Sequence, residues 1–241
     1  MNRPLSPRSR WMLWLLAFTG WLGLWLFPIS NRLTRTGGVA LAAVVWIGLI
    51  SLIWPIRWLR VSLLAFSLTV LIFAVTPARS PIDREALRQD YLTGLQRYRG
   101  VTYFWGGESP KGIDCSGLMR RGLIDALFFR SLRTMDPGLF RLSFNLWWHD
   151  STAEALGKCV GGWTIPVTQT PSLNALDHNQ ILPGDMAVTS DGVHILAYLG
   201  RQRWIEADPG IGRVIEVDAP AKENPWFQGR MTLVRWQMLQ P

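Results

Sequence analysis

Residues 103–118 read YFWGGESPKGIDCSGL, a glycine-rich turn that leads into a cysteine and then into an apolar-patterned run to about Phe129. We predict a helix that begins at Cys115 with Asp114 as its N-cap, because aspartate is a preferred capping residue. A cysteine at a helix N-terminus lies at the positive end of the helix dipole, which lowers its thiol pKa and suits a nucleophile. The alternative is a small buried thiol without a reactive role.

A thiolate nucleophile needs a base, and the downstream sequence offers His194. The run Val193–Leu199 predicts a strand in which a histidine has no structural purpose, so His194 is a candidate base. Glu206 and Asp208 lie on the next predicted strand and its turn, two residues apart and therefore on one face. Either carboxylate could orient the imidazole. A purely structural histidine is the alternative interpretation.

The elements around these residues predict an α+β domain. Leucine and tyrosine recur at three- and four-residue steps over 82–98, which predicts a helix. Short strands bounded by turns are predicted at 186–189, 193–199, 203–207, 213–217 and 231–236. Strands in such a series indicate an antiparallel sheet, and helices followed by strands indicate the α+β class. Residues 130–180 are mixed and show no clear period.

The charge distribution of the 241 residues separates a membrane anchor from this domain. The formal net charge is +8, yet residues 1–79 hold eight arginines and no other charged residue, while 80–241 sum to zero. Three uncharged apolar runs, about 11–29, 39–56 and 61–76, predict about three transmembrane helices. A cleavable signal peptide is the alternative for the first run, and a buried helix for the third. The basic charge therefore does not predict a nucleic-acid partner; it predicts contact with a lipid bilayer.

The arginines also predict an orientation for the predicted domain at 80–241. Arg3, Arg8 and Arg10 precede the first span, and Arg57 and Arg60 join the second span to the third. In a three-span arrangement these five face the cytoplasm, while the loop between the first two spans, with Arg32 and Arg35, faces outward, in agreement with the positive-inside rule. Three spans place 80–241 on the periplasmic or extracellular side of the cytoplasmic membrane. Two spans would leave it inside.

Cofactor and metal signatures are missing from the sequence. Two cysteines and three histidines are too few and too scattered for a structural zinc site. The sequence holds neither a phosphate-binding loop nor a dinucleotide-binding fingerprint. We therefore expect no cofactor and no metal.

Taken together, the two blocks resemble the NlpC-type cell-wall cysteine peptidases, a papain-like family of bacterial peptidoglycan endopeptidases. The family pattern is Tyr-x-Trp-Gly-Gly followed by Asp-Cys-Ser-Gly, which here are residues 103–107 and 114–117. Its second block is Pro-Gly-Asp before a His-led strand that ends in glycine, here 183–185 and 194–200. The resemblance covers roughly residues 82–217. It implies a papain-like domain in which N-terminal helices pack on an antiparallel sheet.

The resemblance implies a role for each matching residue. Cys115 would be the nucleophile and His194 the general base, and Tyr103 would line the oxyanion and substrate site. Asp114 and Ser116 would flank the peptide pocket, with Trp105 as a further substrate-binding residue. The family's third residue is usually His, Asn or Gln twelve positions after the base. That position holds Glu206, so Glu206 is the expected orienting residue and Asp208 the alternative.

A second departure from the family is the long separation of Cys115 and His194. The excess falls near 130–165 and predicts an insertion beside the groove, or equally a covering subdomain. Cys159, the other cysteine, could form a disulfide with Cys115 outside the cytoplasm, although we prefer a buried thiol.

The implied function is hydrolysis of amide bonds in peptidoglycan stem peptides, between D-Glu and the diamino acid. Two alternatives remain open. One is a catalytically inert peptidoglycan-binding module, which the unusual Glu206 favours slightly. The other is a papain-like amidase or acyltransferase that acts on another amide or lipid substrate, to which a membrane anchor gives some weight.

Overall fold

The computed structural model describes residues 6–78 and 81–241. Its N-terminal part holds three long helices, α1 (Pro7–Leu26), α2 (Arg32–Leu52) and α3 (Arg57–Val75). Within the described ranges, α2 and α3 are long and apolar enough to cross a membrane. Helix α1 is of similar length but carries two arginines and four tryptophans among its 20 residues. The sequence predicted about three spans, and this number stays a prediction.

Local capping explains where α1 and α2 begin. Ser6 accepts a hydrogen bond from the Ser9 N–H. Pro7 occupies the first turn, where a backbone N–H has no partner within the helix, so the missing N–H of proline costs no hydrogen bond. Asn31 and Thr34 form a capping box at the start of α2. The two helices pack side by side, and the Trp14 indole donates to the Val45 carbonyl at 2.8 Å. The connection between α1 and α2 is therefore a tight turn at one end of a helix pair.

The rest of the chain forms the predicted α+β domain. Its helices are α4 (Arg84–Gln96), α5 (Cys115–Thr134), α6 (Pro137–Trp148) and α7 (Ala153–Gly157). A two-stranded hairpin precedes α5, formed by β1 (Glu108–Ser109) and β2 (Gly112–Ile113). The main strands are β3 (Thr164–Thr170), β4 (Met186–Thr189), β5 (Ile195–Gly200), β6 (Arg203–Asp208), β7 (Arg213–Asp218) and β8 (Met231–Trp236).

The six main strands form one antiparallel sheet in the order β3-β8-β4-β5-β6-β7. One face of the sheet packs against α4 and α5 through a large apolar core. The opposite face carries a smaller core around Trp204 and Phe227, covered by loops. The predicted α+β class with an antiparallel sheet and N-terminal helices is confirmed.

Close packing of α4 on α5 fixes the position of the Cys115 helix. Leu87, Tyr91 and Leu95, the periodic residues of α4, are fully buried. The two backbones approach so closely at Gly94 and Gly122 that a Cβ on Gly94 would lie 2.7 Å from the Gly122 carbonyl oxygen. A larger residue at either glycine would push the helices apart. The start of α5 is therefore held rigidly over the sheet.

The Pro-Gly-Asp turn before β4 is fixed by a buried ion pair. Arg235 on β8 donates from Nε and Nη2 to the two carboxylate oxygens of Asp185, at 2.6 and 2.8 Å. The same carboxylate accepts from the Leu182 N–H at 2.8 Å. Asp185 is fully buried, so it needs these partners in order to stay charged. This motif has a structural role in positioning the strands next to His194.

Several predicted bounds are corrected by the structure. The strand predicted at 193–199 begins at Ile195, so His194 lies directly before β5 and not within a strand. The helix after Cys115 continues past Phe129 to Thr134. Residues 130–165 hold α6, α7 and a short 3-10 turn, and β3 follows, which the pattern did not predict. The insertion interpretation and the two-domain division stay predictions, and the predicted boundary at 79/80 falls on residues outside the described ranges.

Candidate active site

The start of α5 is built by Asp114, as the sequence predicted. Its Oδ1 accepts the Gly117 N–H at 2.6 Å, which makes Asp114 the N-cap. The same atom accepts the Ser116 hydroxyl at 3.0 Å, and Oδ2 accepts the Gly106 N–H at 2.8 Å. The carboxylate thus ties the glycine-rich turn to the first turn of the helix, and Cys115 is held between them.

Two glycines explain why the motifs on either side of this cap are glycine-rich. A Cβ on Gly117 would collide with the Gly107 carbonyl oxygen, and a Cβ on Gly107 with the Gly112 carbonyl. Backbone therefore packs against backbone here, which only glycine permits. The turn at 105–108 and the helix start form one compact unit around the cysteine.

The sulfur of Cys115 lies against the segment that carries His194. Its Sγ donates to the Val193 carbonyl at 3.8 Å and accepts from the Ile195 N–H, so the residues on both sides of His194 contact it. Burial, followed by the negative charge of Asp114, raises the pKa of the Cys115 thiol to about 12. The sequence predicted a lowered pKa. That expectation is wrong for the free protein because desolvation outweighs the donors at the helix N-terminus.

His194 is held in one orientation by two neighbours. Its Nε2 donates to Glu206 Oε2 at 2.6 Å, and its ring stacks on Trp226 with centroids 4.1 Å apart and planes 22° apart. The ring is almost completely buried. Because Nε2 is taken by Glu206, Nδ1 is the ring nitrogen left for proton exchange.

Glu206 lies on β6 and is fully buried. Its second oxygen, Oε1, accepts from Asn224 Nδ2 at 2.6 Å, so both carboxylate oxygens have a partner. The Asn224 side chain also accepts the Trp226 N–H at 2.9 Å. Asn224 and Trp226 belong to the β7–β8 loop, residues 219–230, and the sequence reasoning missed both. No periodic pattern or motif marks them, since the contacts join residues 18 and 32 positions apart in the chain (206 to 224 and 194 to 226).

Asp208, the alternative orienting residue, is engaged elsewhere. Its Oδ1 accepts the Ile211 N–H at 2.8 Å, and its Oδ2 accepts the Trp226 indole N–H at 3.2 Å. Its hydrogen bonds within the described ranges do not include His194. The structure therefore brings Glu206, and not Asp208, to the imidazole.

A groove of about 490 Å³ opens beside Cys115. Tyr103, Trp105, Asp114 and Ser116, all predicted from the sequence, line it together with the cysteine. Trp105 is 75% exposed and free to contact a ligand, and burial raises the pKa of Tyr103 to about 12, so its hydroxyl stays a donor at neutral pH. Among the described residues, no group of three or more His, Cys, Asp or Glu could hold a metal ion.

A model described as the NlpC/P60 family matches residues 100–235, more than half of the chain. The chain belongs to the NlpC/P60 family. The resemblance drawn from the two motifs is therefore confirmed.

Individual relatives are distant. Protein P54 of Enterococcus faecium is 25% identical over 134 residues, which cover 54% of this chain and 20% of that protein. The chain thus spans about a fifth of the length of this curated relative. NlpC1 from Trichomonas vaginalis is 19% identical, with a TM-score of 0.40 over 66% of this chain and 46% of that one. The peptidoglycan hydrolase RipB from Mycobacterium tuberculosis is 17% identical, with a TM-score of 0.38 over 62% and 65%.

The N-terminal helices contribute to the groove of this NlpC/P60 domain. Ser30 and Asn31, in the connection between α1 and α2, line the groove with Cys115. The Ser30 N–H donates to the Gly106 carbonyl at 2.9 Å, and Ile29 forms a β-bridge with Gly107. One wall of the groove is therefore built from the end of a helix pair that lies outside the matched region.

A buried charge cluster holds this wall in place. Arg35 on α2 lies 2.7 Å from Glu108 Oε2 and 2.7 Å from Asp150 Oδ1. Arg120 on α5 pairs with the same two carboxylates at 3.2 and 3.0 Å. Burial raises the pKa of Glu108, while Arg120 and Arg35 act in the opposite direction. Two arginines and two acids thus lock the N-terminal helices to the NlpC/P60 domain.

The two cysteines of the NlpC/P60 domain are both free in the structure. Cys115 is buried and Cys159 is half-buried. The disulfide considered from the sequence is not formed in this structure, and Cys159 is half-buried, whereas we expected a buried thiol.

Proposed function

We propose that this protein is a membrane-anchored cysteine peptidase that hydrolyses amide bonds in peptidoglycan stem peptides through Cys115, His194 and Glu206. The observation that carries the proposal is the order in which Cys115, His194 and Glu206 follow one another from the groove into the domain. Cys115 lines the groove at a helix N-terminus, the residues flanking His194 contact its sulfur, and His194 donates to Glu206.

The proposed reaction begins with proton transfer from Cys115 to Nδ1 of His194. The raised thiol pKa means that the thiolate forms during the reaction and does not pre-exist. The sulfur attacks the peptide carbonyl, and backbone N–H groups at the start of α5, with Tyr103 nearby, stabilise the oxyanion. His194 then protonates the leaving amine, and a water molecule that it deprotonates releases the acyl group from sulfur. Glu206 stabilises the imidazolium in both steps.

Family membership supports the stem peptide as the substrate, and the bond between D-Glu and the diamino acid as the site of cleavage. Purified full-length protein would be incubated with muropeptides and the products identified by mass. We expect hydrolysis at that bond by the wild type and none by Cys115→Ser. Full hydrolysis by Cys115→Ser would end the proposal. Transfer of the acyl group to another amine would instead indicate an acyltransferase.

An inert peptidoglycan-binding module is the second candidate, and the raised pKa of the Cys115 thiol favours it. A protonated, buried thiol is a poor nucleophile unless a base removes its proton. Binding of muropeptide without turnover, equal in the wild type and in Cys115→Ser, would support this alternative.

We further propose that α1, α2 and α3 all cross the membrane and that the catalytic domain lies outside the cytoplasm. The contact of Ser30 and Arg35 with the domain supports this arrangement, because it requires the α1–α2 connection and the domain to share one side. If α2 crosses, α3 must cross back to reach the domain, which leaves Arg57 and Arg60 on the opposite side. The positive-inside rule assigns that side to the cytoplasm.

A further inference from the structure

A second cavity, of about 280 Å³, lies between α1 and α2. Most of its lining is apolar, and it includes Trp21, Leu24, Trp25, Gly38, Val39 and Ala42. It shares Ser30 and Glu108 with the groove that holds Cys115, so the two cavities are neighbours across the α1–α2 connection. We call this space the α1–α2 cavity.

The α1–α2 cavity extends into the membrane. Ala42 lies three residues past position 39, where the predicted second span begins, which is about 5 Å along the helix axis, and Trp21 lies eight residues, about 12 Å, before position 29, where the predicted first span ends. The cavity thus reaches at most about 12 Å into a hydrocarbon layer of roughly 30 Å. The cavity therefore runs from the membrane surface into one leaflet, on the side where the catalytic groove lies.

A lysine lies near the place where the two cavities meet. The ammonium group of Lys111 lies 5.2 Å from the centre of the Trp25 ring, which lines the α1–α2 cavity. Arg35 and Arg121 also line it, but they are paired with acids, Arg35 with Glu108 and Asp150 and Arg121 with Asp125. Glu108 is the acidic side chain in this lining. Among the salt bridges of the described residues, Lys111 has none, so it is the cation here that could pair with an anionic group located between an apolar chain and a peptide.

We propose that the substrate is a stem peptide carried on a phosphate-linked membrane lipid. The lipid chain lies in the α1–α2 cavity, the phosphate lies beside Lys111, and the peptide enters the groove at Cys115. This inference rests on the proposed hydrolase function and names the form in which the substrate is presented. It also gives a purpose to Ser30 and Asn31 in the groove wall, because they separate the lipid from the peptide.

Substitutions that fill the α1–α2 cavity test this proposal. Gly38 and Ala42 line the cavity, and a Cβ on Gly38 would meet no atom within 4 Å, so Gly38→Leu and Ala42→Leu add bulk there. Gly23→Leu is the matched control. Gly23 lies on α1 outside the cavity lining, and a Cβ added there would also meet no atom within 4 Å. Full-length protein in vesicles would receive either polyprenyl-diphosphate-linked muropeptide or soluble muropeptide with the same peptide.

We expect the wild type to prefer the lipid-linked substrate by about tenfold or more in kcat/KM, the effect of burying a few methylene groups. Gly38→Leu and Ala42→Leu should each remove this preference and leave hydrolysis of soluble muropeptide within about twofold of the wild type. Gly23→Leu should retain the preference. If an ordinary bilayer lipid fills the cavity, neither leucine will change the ratio of the two substrates, and that result would overturn the inference.

The two proposals fail in different ways. If the wild type cleaves neither substrate, the hydrolase function itself is wrong. If the wild type cleaves both substrates and the cavity variants do not change the ratio of the two rates, only the proposed lipid-linked form of the substrate is wrong.

Discussion

The imidazole of His194 donates to a carboxylate oxygen of Glu206 at 2.6 Å, and both side chains are buried. An amide in this position can orient an imidazole but cannot balance the charge that the imidazole gains when it accepts a proton. Glu206 can do both, and the site is closed to water that would otherwise screen the charge. In the proposed mechanism, this pair couples the orientation of His194 with its stabilisation.

Removal of the Glu206 carboxylate should lower turnover strongly. We expect Glu206→Ala to reduce kcat by about 10²-fold or more, the range measured for loss of general-base function, with little change in KM. Glu206→Gln keeps a hydrogen-bonding side chain and should retain more activity than Glu206→Ala. Steady-state kinetics on a muropeptide would measure both variants.

Asp208→Ala is the comparison for the Glu206 series, because Asp208 bonds Trp226 and Ile211 and not His194. Its loss of kcat should be clearly smaller than that of Glu206→Ala. If activity survived Glu206→Ala but not Asp208→Ala, the orienting role would pass to Asp208.

Asn224 should act as a positioning residue through Glu206. Its side chain donates to Oε1 at 2.6 Å, a bond to a charged group of the kind that contributes about 1.5–3 kcal/mol. We expect Asn224→Ala to lower kcat about tenfold with KM unchanged, because Asn224 does not line the groove. Asn224→Asp should be worse than Asn224→Ala, since it places a second carboxylate against Glu206.

Asn174→Ala is the matched control for Asn224, because Asn174 also bonds the β7–β8 loop, through the Ala221 N–H at 2.7 Å, but does not bond Glu206. An equal fall in kcat for Asn174→Ala would mean that Asn224 only stabilises the loop.

The residues of the site differ in how far the sequence could predict them. Asp114 and Cys115 were predicted correctly as cap and helix start, because capping depends on neighbours within three residues. The position of Glu206 beside His194 follows from β5 and β6, which are consecutive and paired. Asn224 and Trp226 lie in a loop, and nothing in their local sequence predicts which strand they pack against.

Other differences between prediction and structure also have physical causes. Strand β3 lies at the edge of the sheet, contains Pro166 and has a register shift there. Its sequence therefore lacks the regular alternation of apolar and polar residues that predicts a strand. The pairing of Arg35 with Glu108 joins residues 73 positions apart, and the sequence placed that arginine only in a loop facing outward. The thiol pKa was predicted in the wrong direction because the helix dipole is local, whereas burial depends on the whole fold.

The raised pKa of Cys115 predicts how its thiol reacts in the absence of substrate. Since only the thiolate reacts and the pKa is raised to about 12, the alkylation rate should keep rising from pH 7 to pH 10 without a plateau. The rate of iodoacetamide labelling in a Cys159→Ser background would measure this. A plateau below pH 8 would show a stable thiolate and contradict the burial argument.

The charge cluster that joins α2 to the catalytic domain should be costly to break. Arg35→Met removes one cation from beside buried Glu108, and loss of one partner in a buried pair costs about 3–5 kcal/mol. Chemical unfolding in detergent would measure the free energy of unfolding. Arg35→Met combined with Glu108→Gln should recover part of the loss, because no buried carboxylate is then left short of a partner.

Lys158→Met is the control for the cluster, because its pair with Glu154 is exposed on the surface and such pairs contribute about 1 kcal/mol or less. A loss for Arg35→Met no greater than that of Lys158→Met would show that the cluster does not hold the helices to the domain.

The three-span arrangement predicts opposite accessibility for two exposed positions. Pro55 lies in the turn between α2 and α3, and Gln240 lies near the C-terminus of the catalytic domain. In a chain with both native cysteines replaced by serine, an impermeant maleimide should label Gln240→Cys in intact spheroplasts and Pro55→Cys only after lysis. The reverse pattern would place the catalytic domain in the cytoplasm. Labelling of both positions before lysis would mean that α2 and α3 do not cross, although the contact of Ser30 with Gly106 could still form.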